Sequence, residues 1–200
     1  GYSLSLLKFL FLLLFSLQSL YAFKDTFYLG LSQGSVKSSG VNSRLEGSTG
    51  TNYKDITGSS SGLKFGPDFN LDRAHQLHLR WEMFLDRRNY NYHSGSAYES
   101  LDAWHAGVAA VIGHNIDILL NDDIVPFIKI GYAINDGEKL GQGSEAILGL
   151  GLLYMTKHFE IGVGVDHEGK AWEGLTINTN YYYDSRETAY NSYLMINYRF

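Results

Sequence analysis

From Phe23 to Phe200 the chain shows, almost everywhere, apolar and polar residues alternating with a period of two, the signature of strands whose two faces meet different surroundings. The clearest run is Leu77 to Asp86. Leu77, Leu79, Trp81, Met83 and Leu85 share one face, while His78, Arg80, Glu82, Phe84 and Asp86 share the other. The same grammar recurs from Phe27 to Ser32, Leu63 to Phe65, Trp104 to Ile112, Ile128 to Ile134, Leu148 to Tyr154, Phe159 to Asp166 and Leu194 to Phe200. Together with the first run these predict eight strands, an even number.

The two faces differ in kind. One is almost purely apolar. The other carries Lys64, His78, Arg80, Glu82, His105, Lys129, Glu160, Asp166 and Arg199 among glycines. A soluble barrel turns its apolar faces inward and has no need to balance the charges outside. A membrane barrel turns the apolar faces to lipid and fills its lumen with the polar ones. Mixed signs beside very small residues suit a narrow eight-stranded lumen, where charges must pair to be buried. The prediction is an all-β, antiparallel, up-and-down transmembrane barrel plugged by a charged network. One possible register of the third and fourth strands sets Glu82 opposite His105.

The connections support that topology. Long polar links are expected over 34–61, 87–100 and 168–190, and shorter ones over 66–75, 113–124, 135–144 and at Lys157-His158. Alternation of long and short links is the habit of barrels with extracellular loops and periplasmic turns, and puts both termini in the periplasm. A two-residue turn at Lys157-His158 pairs Thr156 with Phe159, Tyr154 with Ile161, Leu152 with Val163 and Gly151 with Gly164. Apolar positions then meet apolar positions, as an antiparallel pair requires.

Ahead of the strands lies Lys8, an apolar run from Phe9 to Phe15, and a more polar stretch to Ala22. Residues 1–22 are expected to be a cleaved helical signal peptide, and 23–200 the barrel. The apolar run is shorter than the ~20 residues of a membrane-spanning helix. Composition agrees: fifteen Tyr, eleven Phe and 22 Gly with two Pro favour β structure. The absence of Cys excludes disulfides and thiolate sites, and a net charge of −5 argues against a nucleic-acid partner.

The last segment, Tyr193-Leu-Met-Ile-Asn-Tyr-Arg-Phe200, completes a pattern that resembles the small eight-stranded outer-membrane proteins: the OmpA-type transmembrane domain and its OmpX-like and opacity-like relatives. In that group a final strand with alternating apolar residues and a terminal aromatic is read by the barrel-insertion machinery. Leu194, Ile196, Tyr198 and Phe200 match it. The resemblance implies a bacterial outer-membrane location, contact with outer-membrane lipids and lipopolysaccharide, transient engagement of the assembly machinery, and a host or extracellular ligand met through the loops. It does not select a function, since fold and function separate in this group.

Seven His show no metal-binding spacing, and no cofactor or metal is expected. In the third link, His93, Ser94, Ser96 and Glu99 offer the groups of a lipid A hydrolase, but adjacent Ser and His are poorly placed as nucleophile and base. Tyr90, Tyr92, Tyr98, Tyr181, Tyr182, Tyr183 and Tyr190 read as an interfacial girdle or an adhesive surface. The expectation is a non-enzymatic structural or adhesin-like protein. The alternatives are a narrow channel and, third, the hydrolase.

Overall fold

A computed structural model describes residues 26–45, 51–53, 56–72, 76–94, 97–119, 122–137, 141–176 and 182–200. The strands are β1 (Thr26–Leu45), β2 (Thr51–Tyr53), β3 (Ile56–Asp72), β4 (Leu77–Ser94), β5 (Ala97–His114), β6 (Ile116–Leu119), β7 (Asp122–Gly137), β8 (Gly141–Met155), β9 (Phe159–Thr176) and β10 (Tyr182–Arg199). Among the described residues there is no helix. Residues 1–22, the expected signal peptide, lie outside the described residues.

Eight of the strands close a ring, in the order β1, β3, β4, β5, β7, β8, β9, β10 and back to β1. β2 lies against β1, and β6 forms a short hairpin with β7. The ring is sheared. Starting at Leu31, the paired residues run Leu63, Leu85, Ala106, Ile134, Ser144, Ala171 and Arg186, and return to β1 at Asn42 rather than at Leu31. Such an offset is what tilts the strands of a closed barrel and sets its width.

Burial is inverted relative to a soluble protein. Arg80, Arg88 and Lys129 are among the largest side chains almost wholly buried, while Leu150 is 64% exposed and Leu31 66%. Outward positions on every ring strand form an apolar belt, among them Leu29, Leu85, Ile112, Ile128, Leu152, Ile161 and Ile196. Exposed apolar surface on that scale is not tolerated in water, and a closed ring leaves no strand edge unpaired in lipid.

The turn between β8 and β9 keeps the expected register: Tyr154 opposes Ile161, Leu152 opposes Val163 and Gly151 opposes Gly164. Thr156 N–H donates to the Phe159 carbonyl at 2.8 Å, closing it. The other expected links are a different matter. Most of 34–61, 87–100, 135–144 and 168–190 is strand: β1 continues to Leu45, β4 reaches Ser94, β5 begins at Ala97, and β9 and β10 extend to Thr176 and from Tyr182. Above the belt the outward residues are polar as well as many of the inward ones, so the apolar–polar contrast fades from the sequence while backbone pairing continues. The link 113–124 likewise contains β6.

Two local features depend on glycine. Gly66, with φ 156°, precedes Pro67 where β3 pairing with β4 lapses between Phe65 and Asp68, and a Cβ there would meet the Trp81 carbonyl. Inside the wall, glycines make room for rings laid across them. A Cβ on Gly164 would sit 2.5 Å from the Tyr193 hydroxyl oxygen, and one on Gly107 would sit 2.5 Å from the Phe84 ring.

Candidate functional site: the barrel interior

Because inward positions recur every second residue, each strand delivers a column of side chains to the lumen, and neighbouring columns build tiers. The lowest tier, near the chain terminus, centres on Arg80 of β4. Its guanidinium donates to Asp68 at 2.8 Å and to Glu160 at 2.6 Å, and stacks 4.0 Å from the Tyr28 ring centre. His78 contacts Asp68, Arg199 reaches Glu160 at 3.1 Å, and Asn197 donates to Glu160 at 3.0 Å.

The middle tier is a row of alternating sign. Glu82 accepts from Lys64 at 3.0 Å and Lys129 at 3.1 Å, and Lys129 pairs also with Asp166 at 2.6 Å. Both ammonium groups lie over the Tyr193 ring, at 4.3 and 4.7 Å, and Lys129 donates to its hydroxyl at 3.1 Å. Glu82 comes from β4, Lys129 from β7 and Asp166 from β9, so this run of contacts links β4 to β9, four places apart in the ring of eight.

In the upper tier Arg88 makes a two-pronged pair with Glu168, both contacts at 2.5 Å, with Asp86 at 3.8 Å. Beside it His105 Nδ1 lies 3.3 Å from Glu145, and His105 Nε2 lies 3.3 Å from the Tyr90 hydroxyl. Below the upper tier, Val111, Val125, Phe127, Leu153, Met155 and Met195 form an apolar cluster against the walls. Ion pairs thus share the interior with a packed apolar half.

All nine sequence-predicted interior residues face inward. Lys64, Glu82, Lys129 and Asp166 meet in one tier, His78, Arg80, Glu160 and Arg199 in another, and His105 joins neither. The contact between Glu82 and His105 does not form: Glu82 is opposite Ala109, and His105 is opposite Asp86. The β4–β5 hairpin reaches Ser94 opposite Ala97, which sets a register four residues away from the one that would join them. Tyr90 also departs from the girdle reading, since it is wholly buried in the lumen. Tyr92, Tyr98, Tyr181, Tyr182 and Tyr183, together with His93, Ser94, Ser96 and Glu99, lie outside the described side chains.

Sequence reasoning missed Asp68, Arg88, Glu145 and Glu168. Arg88, Glu145 and Glu168 continue the inward parity of Asp86, Gly149 and Asp166, so extending the alternation past the apolar belt would have found them. Asp68 likewise keeps the inward parity of Lys64, but Gly66 and Pro67 between them read as the start of a link.

Outside the wall, beyond the belt, Arg87 pairs with Asp102 at 2.9 Å, and Asn89 donates to Asp102 at 2.8 Å. Hydrogen bonds from Asn89 and Arg87 hold the Asp102 carboxyl below the usual carboxylate range. No metal-binding cluster of His, Cys, Asp or Glu occurs among the described residues.

No protein-family profile matches the sequence, and no curated protein matches it either. Solved structures do. Neisserial surface protein A is 12% identical, with a TM-score of 0.55 over 88% of this chain and 100% of that one. The outer membrane protein OprG from Pseudomonas aeruginosa is 13% identical, with a TM-score of 0.56 over 88% of this chain and 96% of that one. This chain has the fold of a small outer-membrane barrel. At such identities the likeness concerns the backbone, and the interior pairs described above belong to this chain's own sequence.

Proposed function

We propose that the protein is a non-enzymatic barrel of a bacterial outer membrane, closed to solutes by its ion-pair tiers, which presents its polar upper wall to molecules outside the cell. The inversion of burial carries this reading: cations inside, leucines and isoleucines outside. The upper wall supports the surface role. β4 and β5 stay paired up to Ser94 and Ala97, well past Trp104, so they project as a rigid polar rim rather than as slack loops.

In this reading residues 1–22 direct export and are removed. Both termini sit on the periplasmic side, where Phe200 N–H donates to the Phe27 carbonyl and the β8–β9 turn is short. Leu194, Ile196, Tyr198 and Phe200 form the outward edge of β10 that the assembly machinery reads. Surface ligands, on either the host or the environmental side, meet the rim.

Two measurements test the proposal. Unheated and boiled samples should migrate differently in detergent gels, and the protein should fractionate with outer membranes; equal migration of a water-soluble protein would refute the barrel in lipid. In planar bilayers the protein should show no steady single-channel current. A current abolished by Glu82→Gln would replace the closed lumen with a narrow channel.

A further inference from the structure

The apolar belt is uneven in height. On β7 the outward positions stay apolar through Ile124, Pro126, Ile128, Ile130, Tyr132 and Ile134 before Asp136. On β8 they run through Tyr154, Leu152, Leu150, Leu148 and Ala146 before Ser144. On β1, starting from the same end of the barrel, only Phe27, Leu29 and Leu31 precede the exposed Gln33, Ser35 and Lys37. With ~3.4 Å per residue and a tilt of about 40°, the run covers roughly 26 Å of depth on β7 but roughly 10 Å on β1.

The neighbours of β1 share the deficit. Ser61 and Ser59 are exposed above Leu63 on β3, Ser192 above Leu194 on β10, and Arg87 above Leu85 on β4. Register makes these one patch. Ser35 lies between Ser192 and Ser59, Gln33 lies beside Ser61, and Ser61 lies beside Arg87. Lys37 stands at its upper edge, between Tyr190 and Thr57. At depths where the opposite wall exposes isoleucine and leucine, this wall exposes hydroxyls, an amide, the Lys37 ammonium, and an Arg87 guanidinium paired with Asp102 at 2.9 Å.

Polar side chains against hydrocarbon lose their hydrogen bonds at a cost of a few kcal/mol each, so a polar occupant is favoured over acyl chains here. We propose that this face, from β10 through β4, seats a phosphorylated glycolipid of the outer leaflet. Its phosphate meets Lys37, with Arg87 joining through donors other than the Nη2 that Asp102 engages, and its sugar hydroxyls meet Gln33, Ser35, Ser59 and Ser61. Arg is suited to phosphate through paired, charge-assisted hydrogen bonds. A second copy is the competing occupant, and a two-fold contact centred on Ser35 would bring the two Ser35 side chains together. The proposal rests on the outward orientation of the rim given above.

The test uses the folded full chain and purified lipopolysaccharide, with bound lipid measured as phosphate after washing. The wild type should retain lipid. Lys37→Glu/Arg87→Glu should weaken retention by about tenfold or more. Ser35→Leu/Ser59→Leu/Ser61→Leu, which keeps the charges but extends the belt, should weaken it too. Asp136→Ser on the opposite wall should leave it unchanged. Wild-type retention by both patch variants, in samples whose gel shift shows a folded barrel, would overturn the proposal, as would a disulfide-linked dimer of Ser35→Cys formed in the membrane. Labelling of Lys157→Cys from outside intact cells would instead overturn the orientation on which it rests.

Discussion

A lysine in a membrane protein's interior is stabilising only as long as its partners stay. Lys129 sits 3.1 Å from Glu82 and 2.6 Å from Asp166. Lys129→Met fills similar volume but strands the Asp166 carboxylate, and should lower unfolding free energy by about 3–5 kcal/mol in detergent urea titrations. Arg87→Ala, which breaks an exposed pair with Asp102, should change it by about 1 kcal/mol or less. Equal effects would mean that the tiers are as well solvated as the rim. Glycine matters by a different route. Gly164→Leu would drive the Tyr193 ring from its place between Lys64 and Lys129, and should cost about 1–3 kcal/mol through overpacking.

Among the elements, β10 does two jobs: it pairs with β9 along one edge and closes the ring on β1 along the other. Its outward face ends in an aromatic cluster, with Phe200 5.1 Å from Tyr198 and 6.2 Å from Phe27. Deleting Phe200 removes that ring and a backbone bond to Phe27. The membrane-inserted fraction, read by the gel shift of unheated cells, should fall; undiminished insertion would count against an assembly signal in Leu194, Ile196, Tyr198 and Phe200. Elements were also where sequence reading fell short. Inside the belt the alternation of Leu148 to Tyr154 or Phe159 to Asp166 located strands directly. Beyond it, Ser, Asn and Gly read as loop, although the backbone remained paired to Thr176 and Ser94.

For the molecule as a whole, depth in the bilayer sets the effect of a surface change. Leu150, far from either rim and exposed, should tolerate charge poorly: Leu150→Arg should destabilise by about 2–4 kcal/mol, whereas Tyr154→Arg near the β8–β9 turn should cost about 1 kcal/mol or less. Refolding titrations into vesicles would measure both, and similar losses would argue that the belt does not sit where the exposed leucines put it. The uneven belt adds that the barrel does not present the same surface all round.

Local alternation was enough to tell the two faces apart, to count the ring strands and to register one hairpin, because period two follows from backbone geometry and a two-residue turn leaves no freedom. It also placed nine charged or titratable residues on the inward face, though not Asp68, Arg88, Glu145 or Glu168. Which charges meet was decided only by ring closure. Arg80 finds Glu160, and Arg88 finds Glu168, each across the lumen from β4 to β9 and each 80 residues along the chain. The shear of the closed sheet fixes those heights, and no stretch of sequence carries the shear by itself.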